Sequence, residues 1–116
     1  MKDTERDALM CFSDVFSGKW KLLILYELMD GERRFKEIKS ALSGISAKVL
    51  TQVVQEMVND GIILRIAYPE VPPRVSYSLS KRGRSMAPLV KEMLTWGKAH
   101  QKYRSQWQSY RKTGQE

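Results

Sequence analysis

The period of the apolar residues changes at Asn59-Asp60-Gly61, and that change limits the fold more than any other feature. Before it, apolar side chains recur at helical spacings of three and four. After it they sit in two β-branched and aromatic runs, "IILRIAY" and "RVSYSL", with Val75, Tyr77 and Leu79 alternating with polar residues in the second. The order reads as helices packed with one small antiparallel hairpin, a mainly α, α+β fold. The segment between the two runs, within "YPEVPPRVSY", holds three of the chain's four prolines. Proline lacks the N–H that a ladder needs, so this segment is the loop of the hairpin and not a strand.

Three helices are predicted ahead of the hairpin, preceded by an N-terminal one. "DALMCFSDVF" places Leu9, Phe12, Val15 and Phe16 on one face and stops at Ser17-Gly18. "GKWKLLILYELMDG" places Trp20, Leu23, Ile24 and Leu28 on one face and stops at Gly31. "RRFKEIKSALSG" places Phe35, Ile38 and Leu42 at helical spacing. "ISAKVLTQVVQEMVNDG" starts at Ser46, a good N-cap, and stops at Gly61. The last two are joined by a tight Ser-Gly-Ile turn. Past the hairpin, Ser80 is placed to cap a long helix that Pro88 either kinks or restarts near Ser85. Along it Leu89, Met93, Trp96, His100, Tyr103, Trp107 and Tyr110 form a heptad-like seam.

At 116 residues, 42% of them hydrophobic, the chain is most simply one domain with a core of its own. The absence of a long apolar run and of a signal-like N-terminus predicts a soluble, cytoplasmic protein with no membrane partner. A single cysteine and a single histidine are too few for a disulfide framework or an ordinary zinc site, so no metal or cofactor is expected. The net charge of +7 is unevenly placed. Eleven Lys/Arg balance eleven Asp/Glu up to Ser80, while nine face two from Lys81 onward. A nucleic-acid surface within the first eighty residues therefore requires its charges to be sorted onto one face.

The helix that opens at Ser46 carries the functional signal. Projected at roughly 100° per residue, Val49, Leu50, Val53, Val54, Met57 and Val58 cover one half. Lys48, Gln52, Gln55 and Asn59 lie nearly in line on the other, flanked by Thr51 and Glu56. Amides, an ammonium and a hydroxyl match the donors and acceptors of base edges in a major groove. A solvated amphipathic face would more often carry Glu and Lys pairs. The start "ISAK" also aims backbone N–H groups and a positive helix end where a phosphate can sit.

From Gly18 to Gly97 the sequence resembles the HxlR-type winged helix-turn-helix transcriptional regulators, a MarR-like group. The resemblance rests on "GKW", on "RRF" before the short helix, on "GIS-KVLTQ" at the start of the polar-faced helix, and on "YPEVPPRVSYSLS-RG" across the hairpin. The chain departs from the pattern at Val53-Val54 and in the aromatic-rich stretch past Gly97. The resemblance implies a three-helix core with a wing, flanked by N- and C-terminal helices that dimerise. The division is then 1–17 for the N-terminal helix, 18–80 for the winged-helix core, 81–110 for the dimerisation helix and 111–116 for a disordered tail. It implies a homodimer on an inverted-repeat operator in double-stranded DNA, repressing or activating nearby genes, with repression the leading expectation.

Carried over by position, Ser46, Lys48, Thr51, Gln52 and Gln55 are the base- and phosphate-reading candidates, and Arg33, Arg34, Arg65 and Arg74 are further DNA-contact candidates. Glu70, among the wing prolines, would be repelled by phosphate, so it points away or pairs with a base such as Arg74. The dimer candidates are Leu9, Phe12, Phe16, Leu89, Met93, Trp96, Tyr103 and Trp107; packing within one chain is the alternative use of the seam. Cys11 is either a redox or electrophile switch or a small buried hydrophobe. A small-molecule or oxidant effector is compatible with the family. No catalytic set can be assembled around His100, and "SGKWK" lacks the spacing of a phosphate-binding loop. The competing class is a winged helix that binds protein and not DNA.

Overall fold

The computed structural model describes residues 1–114. These form two compact units, Met1–Ser85 and the segment from Met86 onward. The first contains α1 (Asp3–Val15), α2 (Lys21–Leu28), β1 (Arg33–Arg34), α3 (Phe35–Ala41), α4 (Ala47–Asn59), β2 (Ile63–Tyr68), β3 (Arg74–Leu79) and α5 (Lys81–Arg84); the second is α6 (Ala87–Thr113).

The core is assembled from one face of each central helix and the base of the hairpin. Ile24, Leu25 and Leu28 of α2, Ile38 of α3, Leu50, Val54 and Met57 of α4, and Ile63 and Leu79 of the strands are all buried. Full burial of a side chain of this size contributes about 1.5–3 kcal/mol. The predicted face of α2 is corrected here. Leu23 is exposed and Leu25 takes its place inside, because α2 packs against both α3 and α4 and its apolar face turns to serve the two contacts. The chain reverses between α3 and α4 at Gly44, whose φ of 90° is costly for any residue with a Cβ.

The hairpin pairs Ile63 with Leu79 at its base and Tyr68 with Arg74 at its outer end. The prolines occupy the connection, as expected, with a cis bond between Val71 and Pro72 and Val71 fully exposed at the tip. The sheet has a third strand that the periodicity did not show. Arg33 and Arg34 pair antiparallel with Tyr77 and Ser76, giving the order β1-β3-β2.

The hairpin is locked where it leaves the core. The Ser80 hydroxyl faces the carbonyls of Gly61 at 2.6 Å and Ile62 at 3.1 Å, and its oxygen accepts the Gly83 N–H at 3.0 Å. The Ser80 backbone N–H also donates to Ile62 O. Gly83 seats α5 so closely that a Cβ there would lie 2.3 Å from Ile62 O. This lock ends the predicted long helix early. The capped turn closes at Arg84, and α6 restarts at Ala87 with Pro88 in its first turn, where a missing N–H leaves no bond unmade. The helix then runs through the beginning of the expected disordered tail to Thr113, and Gly114 closes it at φ 75°. Residues 115 and 116 lie outside the described residues.

Candidate nucleic-acid interface

Helix α4 is built to hold a polar face outward. The Ser46 hydroxyl accepts the Val49 N–H at 3.1 Å and fixes the helix start, a cap that contributes about 1 kcal/mol. Leu50, Val54 and Met57 are buried, Val53 and Val58 are half-buried, and Val49 stands at the edge, exposed, so the apolar half is narrower than its projection. Lys48, Thr51, Gln52, Gln55 and Asn59 are all exposed.

Part of that face is already engaged. Thr51 donates its hydroxyl proton to Ala47 O at 2.8 Å, which leaves its methyl group and oxygen lone pairs to a ligand. Gln55 donates from Nε2 to Asn59 Oδ1 at 2.9 Å, and the Gln52 amide lies 3.5 Å from Glu56 Oε1. Lys48 makes no ion pair among the described residues.

The helix is also tied to the core by a charge that sequence reading did not find. Lys21, at the start of α2, is buried, and its Nζ lies 3.1 Å from Glu56 Oε2. The Glu56 carboxylate is half exposed, so removing it strands the buried Lys21 ammonium, while removing Lys21 leaves a carboxylate that water can still reach. Glu56 therefore belongs to the scaffold beneath the polar face, and the thirty-five positions between the partners left no local signal.

The arginine candidates divide into free and occupied groups. Arg65 on β2 and Arg34 on β1 are exposed. The Arg34 backbone N–H donates to Glu37 Oε1 at 2.9 Å, which starts α3. Arg33 donates to Glu32 O at 3.0 Å and lies 3.8 Å from the Glu27 carboxylate. Arg74 is the most constrained. Its guanidinium sits 4.0 Å over the Tyr68 ring, Nη2 reaches Glu70 Oε1 at 3.0 Å, and the buried Nε has no acceptor. The Tyr68 hydroxyl reaches both Glu32 oxygens, at 2.8 and 2.9 Å. Glu32 was not singled out from the sequence, since only the pairing of β1 with β3 brings it to the wing.

The HxlR-like helix-turn-helix family model matches residues 15–105. This chain belongs to that family. It is 40% identical over 101 residues to the uncharacterized HTH-type transcriptional regulator YybR of Bacillus subtilis (strain 168), covering 87% of this chain and 78% of the relative. Among solved structures, the redox regulator HypR in its reduced form is similar at a TM-score of 0.81 and 35% identity, over 85% of this chain and 98% of that one. A MarR-family regulator from Enterococcus faecalis V583 is similar at a TM-score of 0.76 and 30% identity, over 91% and 94%. The chain is thus a winged helix-turn-helix protein of a transcription-regulator family. Among the described residues, no helix is long and apolar enough to cross a membrane.

In this HxlR-like chain the dimer candidates remain at the surface. No residue of α1 is buried; Leu9 and Phe12 are exposed and the Phe12 and Phe16 rings lie 5.3 Å apart. On α6, Leu89, Trp96, Tyr103 and Trp107 are exposed and Met93 is half-buried. The rings of Trp96, His100, Tyr103, Trp107 and Tyr110 follow one another at 4.6, 5.5, 6.2 and 4.8 Å. Cys11 is exposed. Within the single chain α1 turns none of its residues into the core, so the core of one subunit does not bury Cys11.

The Glu32 carboxylate, hydrogen-bonded to the Tyr68 hydroxyl, is the largest cause that raises the Tyr68 pKa above its usual 10.0, with desolvation second. The folded value lies above the unfolded one, so this contribution to stability is fully present below pH about 10 and is lost as pH rises through the folded value. Titration of phenolate absorbance in Glu32→Gln should return one tyrosine to a lower pKa than in the wild type. Identical titration curves would contradict the contact.

Proposed function

We propose that this protein is a sequence-specific, double-stranded-DNA-binding transcription regulator that acts as a homodimer on an inverted repeat. The observation that carries the reading is the α4 face itself: exposed amides, a hydroxyl and an unpaired lysine on a helix whose other face and whose Glu56 are fixed to the core. Such groups read base edges, while Arg34 and Arg65 supply phosphate contacts. The proline-stiffened wing loses little conformational entropy on docking.

The exposed apolar residues of α1 and of α6 are the surfaces through which two copies would pair, since large exposed apolar patches mark association sites. Two recognition helices related by a two-fold axis then meet half-sites about 34–36 Å apart. Repression is the simplest consequence of occupying such a site.

Affinity for duplex DNA measured against salt tests the reading. Log affinity should fall linearly with log salt, and Lys48→Ala should weaken binding and reduce the slope by about 0.9 per subunit, about 1.8 for the dimer, if it contacts a phosphate. Salt-independent behaviour or no binding would favour a protein-interaction module instead.

The HypR neighbour, named as a redox regulator, supports an oxidant as the effector of this chain, acting at exposed Cys11. Two Cys11 thiols from paired subunits would each lose a proton and an electron to an added oxidant such as diamide, which becomes the hydrazine, and form one S–S bond. Diamide treatment should give a covalent dimer on a non-reducing gel, with altered DNA affinity that a reductant reverses. A protein that stays monomeric on the gel and keeps its affinity, with Cys11 unlabelled by thiol reagents, would remove the switch.

A further inference from the structure

We infer that Glu70 stands in for a DNA phosphate at Arg74, so that the wing engages DNA by exchanging an internal carboxylate for a phosphate oxygen. This rests on the DNA-binding reading above and specifies how one residue of it works. Arg74 is held in place from below, whatever anion it faces. Its guanidinium lies over the Tyr68 ring at 4.0 Å, and the Tyr68 hydroxyl is gripped by both oxygens of Glu32. The anion above it is held far less firmly. Glu70 belongs to the proline-rich connection, its side chain is half exposed, and it makes one contact, 3.0 Å from its Oε1 to Arg74 Nη2.

Carboxylate and phosphate oxygens accept from a guanidinium in the same way, and a forked pairing uses two of its N–H groups. Here only Nη2 is paired with the carboxylate, while the buried Nε has no acceptor. The guanidinium is therefore oriented by the ring, with Nε turned away from solvent, and the N–H edge that a phosphate oxygen can reach is the Nη2 edge that Glu70 now occupies.

Exchange has an electrostatic consequence that a count of basic residues misses. In the free protein Arg74 and Glu70 cancel. When a phosphate takes the place of the carboxylate, Arg74 neutralises the phosphate, but Glu70 is released beside the duplex, carrying its own charge. The pair then contributes little to counterion release, and Glu70 lowers the affinity of the wing for any DNA sequence. Glu70 is in this sense a gate on nonspecific binding, and Glu32 and Tyr68 are positioning residues for the arginine behind it.

A double-mutant cycle on duplex binding against salt tests the exchange, using full-length protein and a mixed-sequence duplex. Glu70→Gln should raise affinity severalfold, on the order of fivefold near physiological salt, and steepen the salt slope by about 0.9 for each wing that meets the duplex, about 1.8 for a dimer that docks both. In an Arg74→Ala background the same change should give a clearly smaller gain, because no ion pair has to be broken and only the repulsion of the free Glu70 charge is relieved. An equal gain in both backgrounds would mean that Glu70 repels DNA through space, and would overturn the exchange. No gain in the wild-type background would overturn it too. Loss of salt-dependent binding in every protein, wild type included, would instead overturn the DNA-binding reading and this inference with it. Tyr68→Leu, which keeps Glu70 and removes the ring, serves as the second variant: the gain from Glu70→Gln should shrink in it if the ring presets Arg74.

Discussion

Burial of Leu50, Val54 and Met57 is the constraint on which the rest of the molecule depends. These three residues fix the rotation of α4 about its own axis, and a helix that cannot rotate must present its remaining side chains in one direction. The Ser46 cap sets where the helix begins, and the Lys21–Glu56 pair joins it to α2 at its far side. An ion pair with one buried and one half-exposed partner is a poor source of net stability, because desolvation of the buried charge offsets much of the attraction. Its use here is geometric: two charges that must meet admit few alternative packings of α2 on α4. The polar face of α4 is thus a consequence of how its other face is satisfied.

Five of the eleven acidic groups in the first eighty residues are engaged within the winged-helix core. Glu56 is spent on Lys21, Glu32 on the Tyr68 hydroxyl, Glu70 on Arg74, Glu37 on the start of α3, and Glu27 lies beside Arg33. Lys48, Arg34 and Arg65 keep their charge at the surface. Three of these pairings cancel a basic group as well as an acidic one, so what a polyanion would meet is set by where Lys48, Arg34 and Arg65 stand and not by the net charge.

Much of this was legible from residue order. Helical spacing located α1 to α4, the change of period at Gly61 located the hairpin, and the prolines located the wing tip, because each rests on a local steric rule. The pairing of Glu70 with Arg74 was legible too, four residues apart across a short loop. What escaped was set by distant partners. β1 is two residues long, too short to alternate, and exists because β3 offers it an edge. Tyr68 and Glu32 are thirty-six positions apart, and Lys21 reads as one more cation in an apolar helix until α4 lies against it. The choice between a kink and a restart at Pro88 was likewise decided elsewhere, by the Ser80 lock on Gly61 and Ile62. The end of α6 lies beyond the expected one for a plainer reason: past Tyr110 the sequence continues with the polar Arg111-Lys112-Thr113, which carry no apolar period.

Selection from a pool of random duplexes tests the proposal that the outward face of α4 reads a symmetric DNA site. The account predicts enrichment of an inverted repeat whose half-sites are about one helical turn apart, with Gln52→Ala or Gln55→Ala relaxing the preference within each half-site and leaving the spacing unchanged. A pool that shows no enrichment, or an enriched motif indifferent to every α4 substitution, would contradict it.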